Sequence, residues 1–437
     1  MFKNGTNQLF IRYQQIIEEK KGFTDITDSA LAASPNSRYF GNEARIYTRY
    51  KYNYGNHLSF GVTAEKDPGE DFFNGTQKNG FDFYSAHFFL KNQGKIKQLA
   101  IGDYQTEFGQ GLTFWSGLAF GKSADIMSVK RSALGLKPYT SVDENLFMRG
   151  AGLALKFDKI EVTTFYSRNK VDANIDYSDS TLVQEEVLSV TSIQQTGFHR
   201  TINELEDKDA ITKQTMGGHI AYVTRKLNIG FTGVYNEINA EYNPSLQVYS
   251  QFRNTKSNQT NLGVDYNWIY KNFNFFGEYA QSVDAGKAFV SGALINLDSR
   301  LALSVLYRNY DRDFNPVASA GIGENSVNEN EKGLYFGIVA KPLKQFTVSA
   351  YYDQFVFPWL KYQINAPSNG YQYLTQLTYK PSKKLEMYVR VKERRKGENT
   401  DIDLTEGIDY TVYRKQTNYR YNLSYQVSPS IKLKSRV

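Results

Sequence analysis

Short turns and long loops alternate along this chain with a single exception, and that alternation limits the fold more than any other feature. The segments between them repeat apolar and polar residues with a period of two. Tyr419, Tyr421, Leu423, Tyr425 and Val427 alternate with Arg420, Asn422, Ser424 and Gln426. Leu301, Leu303, Val305 and Tyr307 alternate with Ala302, Ser304 and Arg308, and Leu262, Val264, Tyr266, Trp268 and Tyr270 with Gly263, Asp265 and Asn267. Such a repeat puts each set on one face of a β-strand. The pattern predicts nineteen strands, at 8–17, 43–53, 57–66, 82–92, 96–107, 146–157, 159–169, 215–225, 227–239, 259–270, 272–283, 286–296, 299–310, 333–342, 345–357, 370–380, 383–395, 416–427 and 430–437. Most run to ten or more residues, whereas strands of soluble sheets cluster near about five or six and a tilted bilayer-spanning strand needs about nine to eleven.

The tight connections lie at Tyr54-Gly55-Asn56, Gln93-Gly94-Lys95, Asp158, Lys226, Lys271, Leu297-Asp298, Lys344, Pro381-Ser382 and Ser428-Pro429. Between them lie segments 18–42, 67–81, 108–145, 170–214, 240–258, 311–332, 358–369 and 396–415; only the connection at Asp284-Ala285 is short on the long side. A soluble sandwich has no reason to keep its tight turns at one end. A transmembrane barrel with short periplasmic turns and long extracellular loops does. Aromatic residues near the tight turns, Tyr52, Tyr54, Phe157, Tyr270, Phe273, Tyr379 and Tyr425, suit an interfacial girdle, although aromatics also favour strands in general.

Composition agrees. Aromatics make up 15% of the residues, too many for a disordered chain. The longest nearly unbroken apolar run, Gly333 to Ala340, spans eight residues, against about twenty for a membrane-crossing helix. The absence of cysteine excludes a disulfide framework, a thiolate nucleophile and any cysteine-ligated metal. A net charge of +7 is small for 437 residues and does not mark a nucleic-acid binder. The expected fold is therefore all-β: one antiparallel up-and-down barrel over 1–437, in contact with outer-membrane lipids. An odd strand count leaves the first and last strands running the same way, so they cannot close antiparallel. The chain also opens on Met1-Phe2-Lys3-Asn4 without a signal-peptide pattern. The sequence alone therefore suggests a barrel incomplete at both ends, with twenty or more strands when whole, or a miscounted hairpin.

Segment 102–122 is dense in glycine and aromatics: Gly102-Asp103-Tyr104, Phe108-Gly109-Gln110-Gly111-Leu112, Trp115-Ser116-Gly117 and Phe120-Gly121-Lys122. Glycine permits positive φ and close backbone approach, so such a loop can fold inward and constrict a barrel, or lie across its outer rim. Gly121-Lys122-Ser123 is no phosphate loop, because Gly117 stands one residue too near and no strand–loop–helix context surrounds it. The run Ile101-Gly102-Asp103-Tyr104, Phe108 to Leu112 and Trp115-Ser116-Gly117 resembles a family of outer-membrane barrels of the Bacteroidota. Its full-length members are labelled helix-hairpin-helix (ComEA-like) proteins. Phe198-His199-Arg200-Thr201 with Glu204, Phe276-Gly277-Glu278 with Ala280, Leu306-Tyr307-Arg308 and Tyr351-Tyr352-Asp353 followed by Phe357-Pro358-Trp359-Leu360 add weaker matches across most of the chain. The resemblance implies a Gram-negative outer-membrane location and carries no substrate, cofactor or catalytic residue. The helical hairpins of that family are absent from this segment, so the label brings no DNA role with it.

The alternation points Arg45, Arg49, Lys51, Arg308, Arg390, Lys392, Arg394, Arg420, Lys432, Lys434 and Arg436 into the lumen, with Glu65, Asp265, Glu278, Asp353 and Glu386 on the same face. These side chains suit either a water-filled lumen that favours anions or a lumen braced by arginine–carboxylate pairs. His57 adjoins a tight turn, His87 faces the lumen and His219 opens a strand. His199 with Glu204 and Asp207, in the longest loop, is the single histidine–acid cluster legible in sequence, and there is no Gly-x-Ser-x-Gly. Three readings follow. The first is a non-enzymatic subunit or scaffold of an outer-membrane assembly, export or uptake complex, in contact with other outer-membrane or periplasmic proteins. The second is a porin-like channel for anionic or polar solutes. The last is a surface hydrolase centred on His199.

Overall fold

In a computed structural model, described over residues 5–177, 188–400 and 410–437, the apolar rows face outward. In chain order the strands are β1 Thr6–Gln14, β2 Arg45–Tyr54, β3 Leu58–Lys66, β4 Phe83–Gln93, β5 Ile96–Glu107, β6 Gly135–Pro138, β7 Met148–Phe157 and β8 Ile160–Val171. They continue with β9 Ala173–Tyr177, β10 Leu188–Ile193, β11 Ile211–Val223, β12 Leu227–Ile238, β13 Glu241–Tyr242, β14 Asn258–Tyr270, β15 Phe273–Ser282 and β16 Lys287–Asp298. The last seven are β17 Leu301–Tyr310, β18 Glu331–Leu343, β19 Phe346–Phe357, β20 Ser368–Tyr379, β21 Leu385–Asn399, β22 Thr411–Gln426 and β23 Lys432–Arg436.

Nineteen of these form the wall, each antiparallel to its neighbours in chain order, and every strand expected from the periodicity is present within a few residues. The twentieth strand of the sheet, β6, pairs with the outer end of β5. β9, β10 and β13 form a separate three-stranded sheet on the long-loop side. Segment 170–214, expected as one loop, thus carries the end of β8, β9, β10 and the start of β11; its residues 178–187 lie outside the described residues, as do 1–4 and 401–409 of the expected 396–415 loop. Among the described residues β1 pairs only with β2 and β23 only with β22, so the wall has two edges that run in the same direction.

The register shows why the membrane, not a dry core, receives the apolar face. Phe231 lies opposite Val264 and Val305 opposite Phe336, all on the outside, and Phe336 is 48% exposed. On the other face of the same strands Thr232, Ser304 and Arg308 are buried. Exposed hydrocarbon outside and buried polar groups inside invert the order of a water-soluble protein, and a spanning wall with every inner backbone group paired is what a bilayer demands. In the girdle, Phe157, Tyr270 and Tyr425 are exposed outward. Tyr52 departs from that expectation: it is 3% exposed, stacked on Phe60 at 5.0 Å and packed against Gly5.

Candidate functional site

The inside of the barrel is occupied by the chain itself. β5 parts from β4 at Gly102, while staying paired with β7 as far as Tyr104; the φ of +88° at Gly102 suits glycine, and a Cβ there would stand 2.4 Å from the Ala86 carbonyl oxygen. Asp103 fixes the bend by accepting from the Ala86 amide at 3.0 Å and from Arg149 at 2.8 and 3.1 Å. Beyond it Tyr104, Thr106, Glu107 and Phe108 are all buried. The Tyr104 hydroxyl donates to the Tyr166 carbonyl at 2.8 Å. The segment therefore folds into the lumen and does not lie on the rim.

Gly109 and Gly111, both at positive φ, wrap the backbone of this loop around one wall carboxylate. Glu278 of β15 accepts from the amides of Gln110, Leu112 and Thr113 at 2.5, 3.0 and 2.7 Å and from the Thr113 hydroxyl at 2.6 Å. Four charge-assisted hydrogen bonds compensate the burial of that carboxylate. Leu112, Ile126 and Val129 then pack on Phe276, Leu306 and Tyr335 of the wall. Segment 311–330 also turns inward: the Trp115 amide donates to the Ala318 carbonyl at 3.1 Å and the Ala320 amide to that of Gly111 at 2.8 Å.

Farther along the loop Lys122 reaches Asp353 of β19 at 2.5 Å and Glu324 at 2.6 Å. Asp353 also takes both terminal nitrogens of Arg308, at 2.7 and 3.0 Å, and Arg308 donates to Glu331 at 2.6 Å. Burial works to raise the Glu324 carboxyl, but Lys122 and Lys396 outweigh it and hold it at about 2. Glu324 and Glu331 carry no sequence signal, and Lys122 stands out only in the rejected Gly121-Lys122-Ser123 triplet. Nothing local marks them, because their partners lie up to 231 residues away.

The basic residues expected in the lumen divide into two groups. Arg308, Arg45 (to Glu65 at 2.8 Å and Asp67 at 3.1 Å) and Arg394 (to Glu324 at 3.5 Å) are braces. Arg49, Lys51, Arg390, Lys392, Arg420, Lys432, Lys434 and Arg436 make no ion pair with a carboxylate among the described residues. Arg49 donates to the Thr140 carbonyl at 3.3 Å and Arg390 to Gln376 at 2.8 Å, and Arg390 stands directly opposite Arg420. These eight belong to β2 and to β21, β22 and β23, at the two edges of the wall. The packed interior runs from β4 to β20: Phe108 and Phe114 cluster with Phe89, Met148, Phe165 and Val234 of β4 to β12, and Leu112 and Ile126 with β15 to β20.

Two cavities remain beside the loop. One of 320 Å³, toward the tight turns, is lined by Lys97, Lys130, His219 and Asp265. The other, of 550 Å³ and toward the long loops, is lined by Trp115, Asp143, Phe147 and Lys213. Phe108 of the first and Phe114 of the second both stack on Phe165, at 5.9 and 5.3 Å, and Phe108 stacks on His219 at 4.7 Å, so an aromatic layer stands between them.

The outer histidine cluster differs from the expected one. The short helix Ile202–Glu206 is capped by Thr201 and turns Glu204 back onto Arg200 at 2.7 Å, so neither Glu204 nor Asp207 bonds to His199. His199 instead binds Asp82 through Nδ1 and Asp172 through Nε2 at 3.0 Å, and its amide donates to Glu70 at 3.2 Å. Burial pushes the imidazole down, but the hydrogen bonds to Asp172 and Asp82 outweigh it and raise it to about 10. Both ring nitrogens are thus engaged by carboxylates, which hold the imidazole between Asp82 and Asp172. Burial and the nearby Asp82 raise Glu70 to about 7, and burial and Asp82 raise Glu144 to about 9. A histidine raised in the fold contributes stability below about 6.5 and loses it as pH climbs through about 10, and a raised carboxyl likewise favours the fold at low pH. The outer segments are thus expected to resist a nonspecific protease better at about pH 5.5 than at about pH 9. Equal cleavage at both pH values would contradict the assignment.

A wall of long antiparallel strands, hydrocarbon outside, polar groups inside and a chain segment folded into the bore define a transmembrane β-barrel of the outer-membrane type. No protein-family model matches the chain, and no curated protein matches it in sequence. Solved structures similar to it include OpdQ of Pseudomonas aeruginosa, at 14% identity and a TM-score of 0.42 over 86% of this chain and 90% of that one. The outer membrane protein OprD of Pseudomonas aeruginosa is 11% identical with a TM-score of 0.43 over 99% and 95%. An anion-selective porin from Comamonas acidovorans is 10% identical with a TM-score of 0.32 over 87% and 88%.

Proposed function

We propose that the chain forms a constricted outer-membrane channel that favours anionic or polar solutes. The observation that carries this reading is the division of lumen charge. The carboxylates Glu65, Glu278, Glu331 and Asp353 are spent on arginines or on the loop, whereas eight bases near the wall edges make no ion pair with a carboxylate among the described residues. A pore lined by unopposed cations concentrates anions and repels cations. In planar bilayers under a potassium chloride gradient, the reversal potential should take the sign of chloride permeation. Arg390→Glu with Lys392→Glu should move it toward zero. Cation selectivity in the unsubstituted protein, or no conducting steps, would defeat this reading.

A second reading, a non-enzymatic subunit or scaffold of an outer-membrane complex, draws on the edges of β1 and β23 that are unpaired among the described residues. Exposed strand edges are templates for further strands. Silent bilayers together with a stoichiometric partner retained in mild detergent would favour it.

A further inference from the structure

Outside the lumen, segments 248–253, 311–330 and 358–362 meet at the outer mouth around a cavity of 190 Å³. Its walls are aromatic and cationic. The Arg312 guanidinium carbon lies 4.2 Å from the centre of the Phe252 ring and 4.9 Å from that of Trp359. The two rings meet edge to face at 5.3 Å. Trp359 is fixed at both ends, its amide donating to Asn330 at 2.8 Å and its indole N–H to the Val248 carbonyl at 3.2 Å. Arg312 thus lies in the corner between two rings set at a steep angle, and their contacts fix the position of the guanidinium group.

Arg312 makes no ion pair among the described residues, and neither does Lys361, which bonds to Asn325 and rests over Phe357 at 3.5 Å. Arg253 of the same cavity, by contrast, is paired with Glu329 at 3.2 Å. Two cations without an ion-pair partner among the described residues thus share a pocket of about one ring's volume. Tyr362 adds a ring that is 69% exposed and braced only edge-on by Tyr249 at 5.9 Å. A purely structural clamp has no use for an exposed platform beside a preset guanidinium fork.

We propose that this cleft binds an acidic sugar, with the carboxylate on the Arg312 fork and Lys361 and the ring face on Tyr362. A planar carboxylate matches the fork in bidentate fashion, and an aromatic face accepts the C–H side of a pyranose. The site lies outside the bore, so it stands or falls independently of conduction.

Calorimetric titration of the detergent-solubilised barrel with glucuronate, neutral glucose and trigalacturonate tests it. Glucuronate should bind about tenfold more tightly than glucose, and trigalacturonate more tightly still if the natural ligand is a chain end. Arg312→Gln should weaken glucuronate about tenfold and Tyr362→Ala about fivefold, with the heat-shifted electrophoretic mobility of the barrel unchanged. Equal affinity for glucose and glucuronate overturns the proposal. So does no binding up to about 10 mM, or unaltered binding by Tyr362→Ala, which decides the matter even if Arg312→Gln fails to fold.

Discussion

Removing residues 110–133 and bridging the gap with two glycines should raise the single-channel conductance of the reconstituted barrel about fivefold. The segment fills one half of the bore with Leu112, Ile126 and Val129 and carries Phe114, one side of the aromatic layer between the two cavities. Without it the Glu278 carboxylate would face water in a widened lumen, where its lost hydrogen bonds are replaced by solvent and the wall is expected to survive. The measurement is the step size in planar bilayers at fixed salt. An unchanged step would show that the narrowest point lies elsewhere and that the inward loop is not the constriction.

Substituting Asp353→Ala is expected to destabilise the barrel by about 3 kcal/mol, because two buried cations lose a shared carboxylate at once, leaving Arg308 with Glu331 alone and Lys122 with Glu324 alone. Arg308 and Asp353 are both completely buried, and Lys122 comes to the same carboxylate from the inward loop. A lower denaturant midpoint in detergent micelles reports the loss. Lys122→Met combined with Asp353→Leu should recover part of it, since both members of that buried pair become apolar while Arg308 keeps Glu331 and Glu324 keeps Lys396. A midpoint unmoved by Asp353→Ala would mean that the cluster is hydrated and holds nothing together.

The wall could be read from sequence because a strand with lipid on one side and a polar lumen on the other has no freedom in its alternation. Residues 259–270 show this: Leu262, Val264 and Trp268 had to face out once one of them did. Gly102 and the Gly109–Gly111 pair also signalled a backbone that bends sharply. The direction of the bend was not legible, because the group that captures it, Glu278, lies 168 residues from Gln110. Distance also hid the true partners of His199, for Asp82 comes from another loop 117 residues away and Asp172 from the start of the same loop 27 residues away, while Glu204, near in sequence, is taken by Arg200. The short strands β6, β9, β10 and β13 are two to six residues long and carry too few alternations to stand out.

The anchoring of the inward loop to Glu278 on β15 and Asp353 on β19 gives the cylinder unequal mechanics. One arc is backed by packed side chains and resists bending, and the arc that ends in β1 and β23 is a bare sheet that can flex. Slow amide exchange should therefore concentrate in the backed arc, and any breathing of the opening belongs to the bare one.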